Sequence, residues 1–269
     1  MKLSIITPSY NQGRFIGEAL RSILNQDIDF PLEYIIVDAV STDETKQVVE
    51  SYSKKFREKG VEFKLICEKD NGQSDAINKG WKMATGDIIT YLNSDDYYEP
   101  NKLKDVMEYF SKNPSIKWAY GGWNLVTKKS SVFLTLKPKK YNKRKLLNYC
   151  NIGQPSCFFR ESILKEVGML NEKLHFAMDY DLWLRFASKY DAGIINSVIS
   201  NMRYHEDAKS SYQTEKQLKE ILRVGGKYTK PLSFQRFAQY FFYARGMVAT
   251  VFKISKIHRG ISSSDPPAS

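Results

Sequence analysis

Cysteine is scarce in this chain: Cys67, Cys150 and Cys157 are the only three in 269 residues. Their number and spacing supply neither an even disulfide framework nor a zinc-ligand pattern, so a reducing, cytoplasmic setting is the simplest expectation. No stretch reaches the roughly 20 apolar residues that span a bilayer. The apolar start at Leu3 is too short for a secretory core, and Pro8 interrupts it. The chain is therefore expected to be soluble, or peripheral on the inner face of the cytoplasmic membrane. Neither GxxxxGK(S/T) nor GxGxxG follows the first apolar run, which excludes the two commonest backbone cradles for phosphate. Histidine is limited to His175, His205 and His258.

Cations are not scarce. The net charge is +11, and 42% hydrophobic with 26% charged residues is ordinary for a globular protein. Six cations and no acid occupy Lys137 to Lys145, and ten Lys and Arg face three acids between Ser211 and Ser269. Such runs are most often solvated faces, but they also suit phosphorylated substrates, anionic lipid or nucleic acid. Length allows one large α/β domain, residues 1–210, and an appendage, residues 211–269.

The first hundred residues alternate between short buried runs and helical periods. Leu3–Thr7, Tyr34–Val37, Phe63–Cys67 and Ile88–Leu92 read as strands; Phe15–Gln26 and Ser74–Ala84 read as helices. Ser41 with Glu44 three residues later suggests a capped helix running to Lys59. Alternation of this kind predicts a mostly parallel sheet covered by helices, with ligands beyond the carboxyl ends of the strands. Those ends carry Thr7-Pro8-Ser9, Asp38, Glu68-Lys69-Asp70 and Asn93-Ser94-Asp95-Asp96. Adjacent carboxylates at a strand end repel unless a cation or donors compensate them. Mg or Mn on Asp95, with Asp96 assisting, would do so and hold a diphosphate that no glycine loop cradles. The plainer alternative makes Asp96 a helix cap and Asp95 a solvated side chain. Asp38 is placed to accept from a base or ribose, or else to shape its own turn.

Ile6-Thr7-Pro8-Ser9-Tyr10-Asn11, Val37-Asp38, Gly72-Gln73-Ser74-Asp75-Ala76, Leu92-Asn93-Ser94-Asp95-Asp96, Gln154-Pro155-Ser156 and Met178-Asp179-Tyr180-Asp181 occur in one order over residues 1–208. As a set they resemble family 2 glycosyltransferases. The resemblance implies a GT-A fold and inverting transfer of a sugar from a UDP-, GDP- or dTDP-sugar, with Mn or Mg. It also implies donor contacts by Thr7, Pro8, Ser9, Asp38, Asp75, Asn93 and Ser94, and metal contacts by Asp95, Asp96 and His205. Asp179 falls where the family keeps its general base, since inversion requires a group that deprotonates the acceptor hydroxyl. Asp181 is left to cap the helix or pair with Arg185. His205 could instead be an ordinary packed histidine. Gln154 and Trp123 fall near the acceptor, although Trp123 suits core packing equally well.

Two elements depart from the family pattern. Ala39-Val40 replaces the usual Gly-Gly, and Asn93 replaces the first aspartate of the metal motif, which weakens the expected site without abolishing it. Beyond Ser210, a helix at Glu215–Val224 precedes a basic, aromatic, amphipathic run suited to an anionic membrane surface, to a second subunit or to the catalytic domain itself. The resemblance implies a glycan or polyprenyl-diphosphate-linked acceptor, bacterial surface polysaccharide biosynthesis and no nucleic-acid partner. Competing readings are a nucleic-acid- or anionic-surface-binding module, a degenerate transferase, and a sugar-phosphate nucleotidyltransferase. The last lacks its Gly-rich signature here.

Overall fold

The computed structural model describes residues 1–205 and 214–244. The expected apolar and basic continuation from Val248 to Arg259, and the tail from Ser262, lie outside the described residues. Among the described residues nine strands form one sheet in the order β3-β2-β1-β4-β8-β6-β9-β5, with β7 paired to β6. The first four are β1 (Leu3–Ser9), β2 (Leu32–Asp38), β3 (Glu62–Cys67) and β4 (Ile88–Tyr91). They are mutually parallel where they pair. Beyond them the sheet is mixed. Strand β8 (Cys157–Arg160) runs antiparallel to β4 and to β6 (Trp118–Val126), β9 (Gly193–Arg203) is parallel to β6, and β5 (Tyr97–Tyr98) is antiparallel to β9. Strand β7 (Val132–Leu136) is antiparallel to β6.

Side chains alternate across the pleat, so each buried strand feeds two cores. Leu3, Ile5, Tyr34, Ile36 and Ile88 meet α1 (Gly13–Leu24), α2 (Thr45–Glu58) and α4 (Lys102–Lys112). Ile6, Ile35, Val37, Ile89 and Tyr91 meet the opposite layer, where α3 (Gln73–Met83), α5 (Lys143–Asn148), α6 (Ser162–Val167) and α7 (Met178–Lys189) pack. Phe15, Ile16, Ala19, Leu20 and Ile23 are the buried stripe of α1, as its 3.6-residue period requires.

Helix α2 begins later than the Ser41 cap predicts. Its N-cap is Glu44, which makes no side-chain cap bond. Asp43 instead accepts from the Thr45 and Gly13 amides, both at 3.0 Å, tying α1 to α2. Ser41 is diverted to the end of β2, where its amide and hydroxyl donate to the two oxygens of Asp38 at 2.8 and 2.5 Å. The smaller ring closed by Asp38 wins because an Asx-type turn satisfies both partners locally.

Helix α8 (Thr214–Gly226) leans on α7, with Val224 buried in the same core as Trp183 and Tyr180. Residues 234–244 are helical as well. Gln239 Nε2 donates to the Leu147 carbonyl at 2.5 Å, and Arg236 donates to the Leu222 carbonyl at 2.9 Å. Through Val224 and Gln239 this C-terminal segment packs on residues 1–205. Leu232, Phe234 and Phe237 on it remain exposed. Among the described residues no helix is long and apolar enough to cross a membrane.

Candidate active site

A cavity of about 610 Å³ opens at the carboxyl ends of β1 and β4. Its floor is the turn after β4. Ser94 Oγ donates to the Pro8 carbonyl at 3.1 Å, and the Asp96 amide closes the turn on the Asn93 carbonyl at 3.1 Å. Asn93 is held by neighbours on three sides: its Oδ1 accepts from Gln73 Nε2 at 2.7 Å, and its Nδ2 donates to Asp96 and Gln154 at 3.2 and 3.3 Å. Gln154 in turn donates to the Tyr91 carbonyl at 2.6 Å. Its amide is thereby spent on the strand end.

The two carboxylates of the turn take different positions. Asp95 faces the cavity, and its Oδ2 lies 3.0 Å from His205 Nε2. His205 is buried against the Phe15 ring at 4.6 Å between centroids. Asp96 turns inward: one oxygen accepts the Arg203 amide at 2.9 Å, the other the Asn93 amide. Burial, reinforced by the neighbouring Asp95, pushes the Asp96 carboxyl well above the usual carboxylate range. Asp95 and His205 are therefore a convergent pair of hard and intermediate donors, whereas Asp96 already serves two protein donors. Among the described residues no group of three or more His, Cys, Asp or Glu is arranged to hold a metal ion. The donor set fits a divalent ion that takes two protein ligands and completes its shell with water and substrate phosphate.

Arg203 organises this corner. Its Nε donates to the Asp95 carbonyl at 2.9 Å, other guanidinium nitrogens reach the Lys128 carbonyl and Ser130 Oγ, both at 2.9 Å, and Nη2 pairs with Glu18. The guanidinium also lies over the Phe15 and Tyr97 rings. Nothing in the local sequence marks this residue apart from its place two residues before His205.

Across the cavity, Asp179 occupies the first turn of α7 and is partly exposed. Its Oδ1 accepts the Tyr180 amide at 2.7 Å. Dense packing around it pushes its carboxyl from 3.8 up to about 6. Asp181 points the other way and pairs with Arg185 at 3.0 Å, the i,i+4 contact expected of it.

Pro8, Ser9, Asn93, Ser94, Asp95 and Asp179 thus line one cavity, and Asp96 and His205 join them. Thr7, Asp38 and Asp75 are not on its wall. Thr7 is fully buried and accepts from Tyr34, Asp38 is closed on Ser41, and Asp75 accepts from the Asn71 amide at 2.9 Å. Trp123 lies outside the wall too; it covers Gly153, where an added Cβ would sit 2.3 Å from the indole. The Ala39-Val40 departure leaves a physical trace, because Val40 stands in the left-handed region at φ +59°. A β-branched residue adopts that conformation only under strain.

The glycosyl transferase family 2 model matches residues 4–168. This chain belongs to that family. An uncharacterized glycosyltransferase of Rickettsia typhi is 29% identical over 247 residues, covering 87% of this chain and 73% of that protein. The poly(ribitol-phosphate) beta-N-acetylglucosaminyltransferase TarS of Staphylococcus aureus is 30% identical over 181 residues, 66% of this chain but only 26% of TarS. Among solved structures, S. aureus TarS 1–349 in complex with UDP-GlcNAc superposes with a TM-score of 0.63 at 19% identity, over 98% of this chain and 77% of that one. The mannosyltransferase PcManGT from Pyrobaculum calidifontis, in complex with GDP-Man and Mn2+, gives 0.63 at 17% identity, over 93% and 74%. The α/β fold of this family 2 chain is therefore the GT-A fold, with its sheet parallel from β1 to β4 and mixed beyond.

Proposed function

We propose that this family 2 glycosyltransferase moves a sugar from a nucleotide-diphosphate donor to a hydroxyl of a glycan or lipid-linked glycan, with inversion. The observation that carries the reading is the cavity itself, where the Asp95–His205 pair and the raised carboxyl of Asp179 face one space. Neighbours of the same fold bind UDP-GlcNAc and GDP-Man, which supports a nucleotide-sugar donor here. The nucleotide would lie along Pro8, Ser9 and the Asn93–Asp95 turn, with Asp38 behind that edge. Thr7 and Asp75 would act from beneath the wall, by setting the ends of β1 and α3. Asp95 and His205 would hold Mg or Mn, which when bound neutralises the donor diphosphate.

Asp179 performs the proton step. Its second oxygen accepts the proton of the acceptor hydroxyl as that oxygen bonds to the anomeric carbon and the bond to the diphosphate breaks. A carboxylate titrating near 6 is charged at neutral pH and still basic enough for the task. Bacterial surface polysaccharide biosynthesis is the setting we infer for such an acceptor. Docking of the exposed Leu232, Phe234 and Phe237 on an anionic membrane would bring the cavity to a lipid-linked substrate.

Thermal stabilisation by UDP-, GDP- and dTDP-sugars, each with Mn2+ and with EDTA, tests the donor site. One nucleotide is expected to raise the melting temperature in a metal-dependent way, and Asp95→Ala to abolish the rise. Folded protein that responds to none of them would refute the donor assignment and favour a degenerate transferase.

A further inference from the structure

The Glu220 carboxylate on α8 makes the least expected contacts near the site. It accepts the amides of three consecutive residues: His175 at 3.2 and 3.1 Å, Phe176 at 2.5 Å and Ala177 at 2.8 Å. These residues lead directly into α7, whose N-cap Ala177 has no side-chain cap of its own. The side chain of Glu220 is only 10% exposed, and its one ion-pair partner among the described residues, Arg223, stands 3.5 Å away at the surface. An anion on successive amides at a helix N-terminus gains from each charge-assisted bond and from the helix dipole. The loop it seizes is part of the cavity wall, since His175, Phe176, Met178 and Asp179 line it, and one turn earlier on α8 Gln217 lines it too.

We infer that Glu220 is a positioning residue for Asp179, so that helix α8, beyond the stretch matched by the family model, is a working part of the catalytic site. The inference rests on the reading of Asp179 as the base. Glu220 fixes the backbone two residues before Asp179 and so sets where the carboxylate stands relative to an acceptor. It also sets the charge around Asp179. Among the described residues Tyr91 of β4, Cys150 and Cys157 also interact with Asp179, but these groups are neutral at pH 7 and burial raises them further. Glu220 is the anion among them and opposes the ionisation of Asp179.

Full-length Glu220→Gln, which keeps one acceptor oxygen and removes the charge, is compared with the wild type in three measurements. They are UDP release from UDP-GlcNAc with Mn2+ between pH 5 and 8, carboxyl titration of Asp179 by NMR, and amide hydrogen exchange. Exchange should accelerate at residues 175–177 and stay unchanged in β1–β4. Asp179 should titrate lower, and kcat should fall about ten- to a hundredfold with the donor KM within about twofold, as misplacement of a catalytic group predicts. Unchanged exchange at 175–177, or an unchanged Asp179 titration, would overturn the inference. If Glu220→Gln does not fold, Glu220→Asp serves instead; it keeps the charge but shortens the reach, and should lose kcat while retaining the raised titration. Asp179→Asn, measured alongside, separates the two readings. Activity retained there refutes the base assignment itself, whereas activity lost there and intact in Glu220→Gln refutes only the positioning role.

Discussion

Replacing Asp179 by Asn should abolish transfer and at the same time stabilise the protein, by an amount that depends on pH. The carboxyl titrates at about 6 in the folded chain because burial disfavours its charge, against an ordinary value of 3.8. At about 1.4 kcal/mol per pH unit, that gap corresponds to about 3 kcal/mol. The sign follows from which state holds the proton more tightly. Below about pH 3 Asp179 is protonated in both states and costs nothing, and near pH 4 the cost is still small. Between about 4 and 6 the unfolded chain releases the proton first, so stability declines as pH rises through the folded value, and above about 6.5 the full cost is present. Asn carries no charge and escapes this cost, so the Tm of Asp179→Asn should match the wild type near pH 4 and exceed it by several degrees at pH 8. Paired melting curves across that range, with donor turnover at each pH, form the assay. A difference in Tm that is flat with pH, or a variant less stable at pH 8, would refute the argument that burial raises this carboxyl. Turnover of the wild type should fall as the pH drops below about 6.

Val40→Gly should stabilise the chain by about 1 kcal/mol in chemical denaturation, because glycine meets no steric cost at φ +59°. Arg203→Leu removes the donor to the Asp95 carbonyl and leaves Glu18 with the Ser130 hydroxyl but without its guanidinium partner; a loss of about 1–3 kcal/mol is expected in a urea titration, together with loss of the metal-dependent Tm shift. Gly153→Ala forces a methyl to within 2.3 Å of the Trp123 ring, which should cost about 1–3 kcal/mol as overpacking. Gly153→Ala with Trp123→Leu should recover most of that cost.

The parallel half of the sheet was legible because short, mostly apolar runs of four or five residues, each ending in polar residues and alternating with helical periods, leave few other arrangements. The carboxyl edge was legible for the same reason. Pairing of Asp95 with His205 spans 110 residues and was reached only through resemblance, since no local pattern aims a lone imidazole at a distant turn. Turn chemistry limited the rest. Asp38 carries the same side chain whether it faces a nucleotide or shapes its own turn, and Ser41 the same one whether it caps a helix or donates to Asp38; here the two bond each other. Asp95 and Asp96 are neighbours in sequence, but opposite orientations in one turn leave Asp95 partly exposed to the cavity and bury Asp96 against Arg203 and Asn93. Glu220 was invisible, because in Thr214–Gly226 it reads as one more charge on an amphipathic helix.

The chain order of the site has a consequence for biosynthesis. The family match ends at residue 168, while Asp179, His205 and Glu220 follow it, and β9 must enter the sheet beside β6 before His205 can reach Asp95. A ribosome adding about 5–20 residues per second has therefore completed the four parallel strands several seconds before the residues that finish the cavity emerge. Over that interval the nascent chain holds the strands of the carboxyl edge but lacks Asp179, His205 and Glu220, so the cavity of the finished protein is completed only by the last elements to be synthesised.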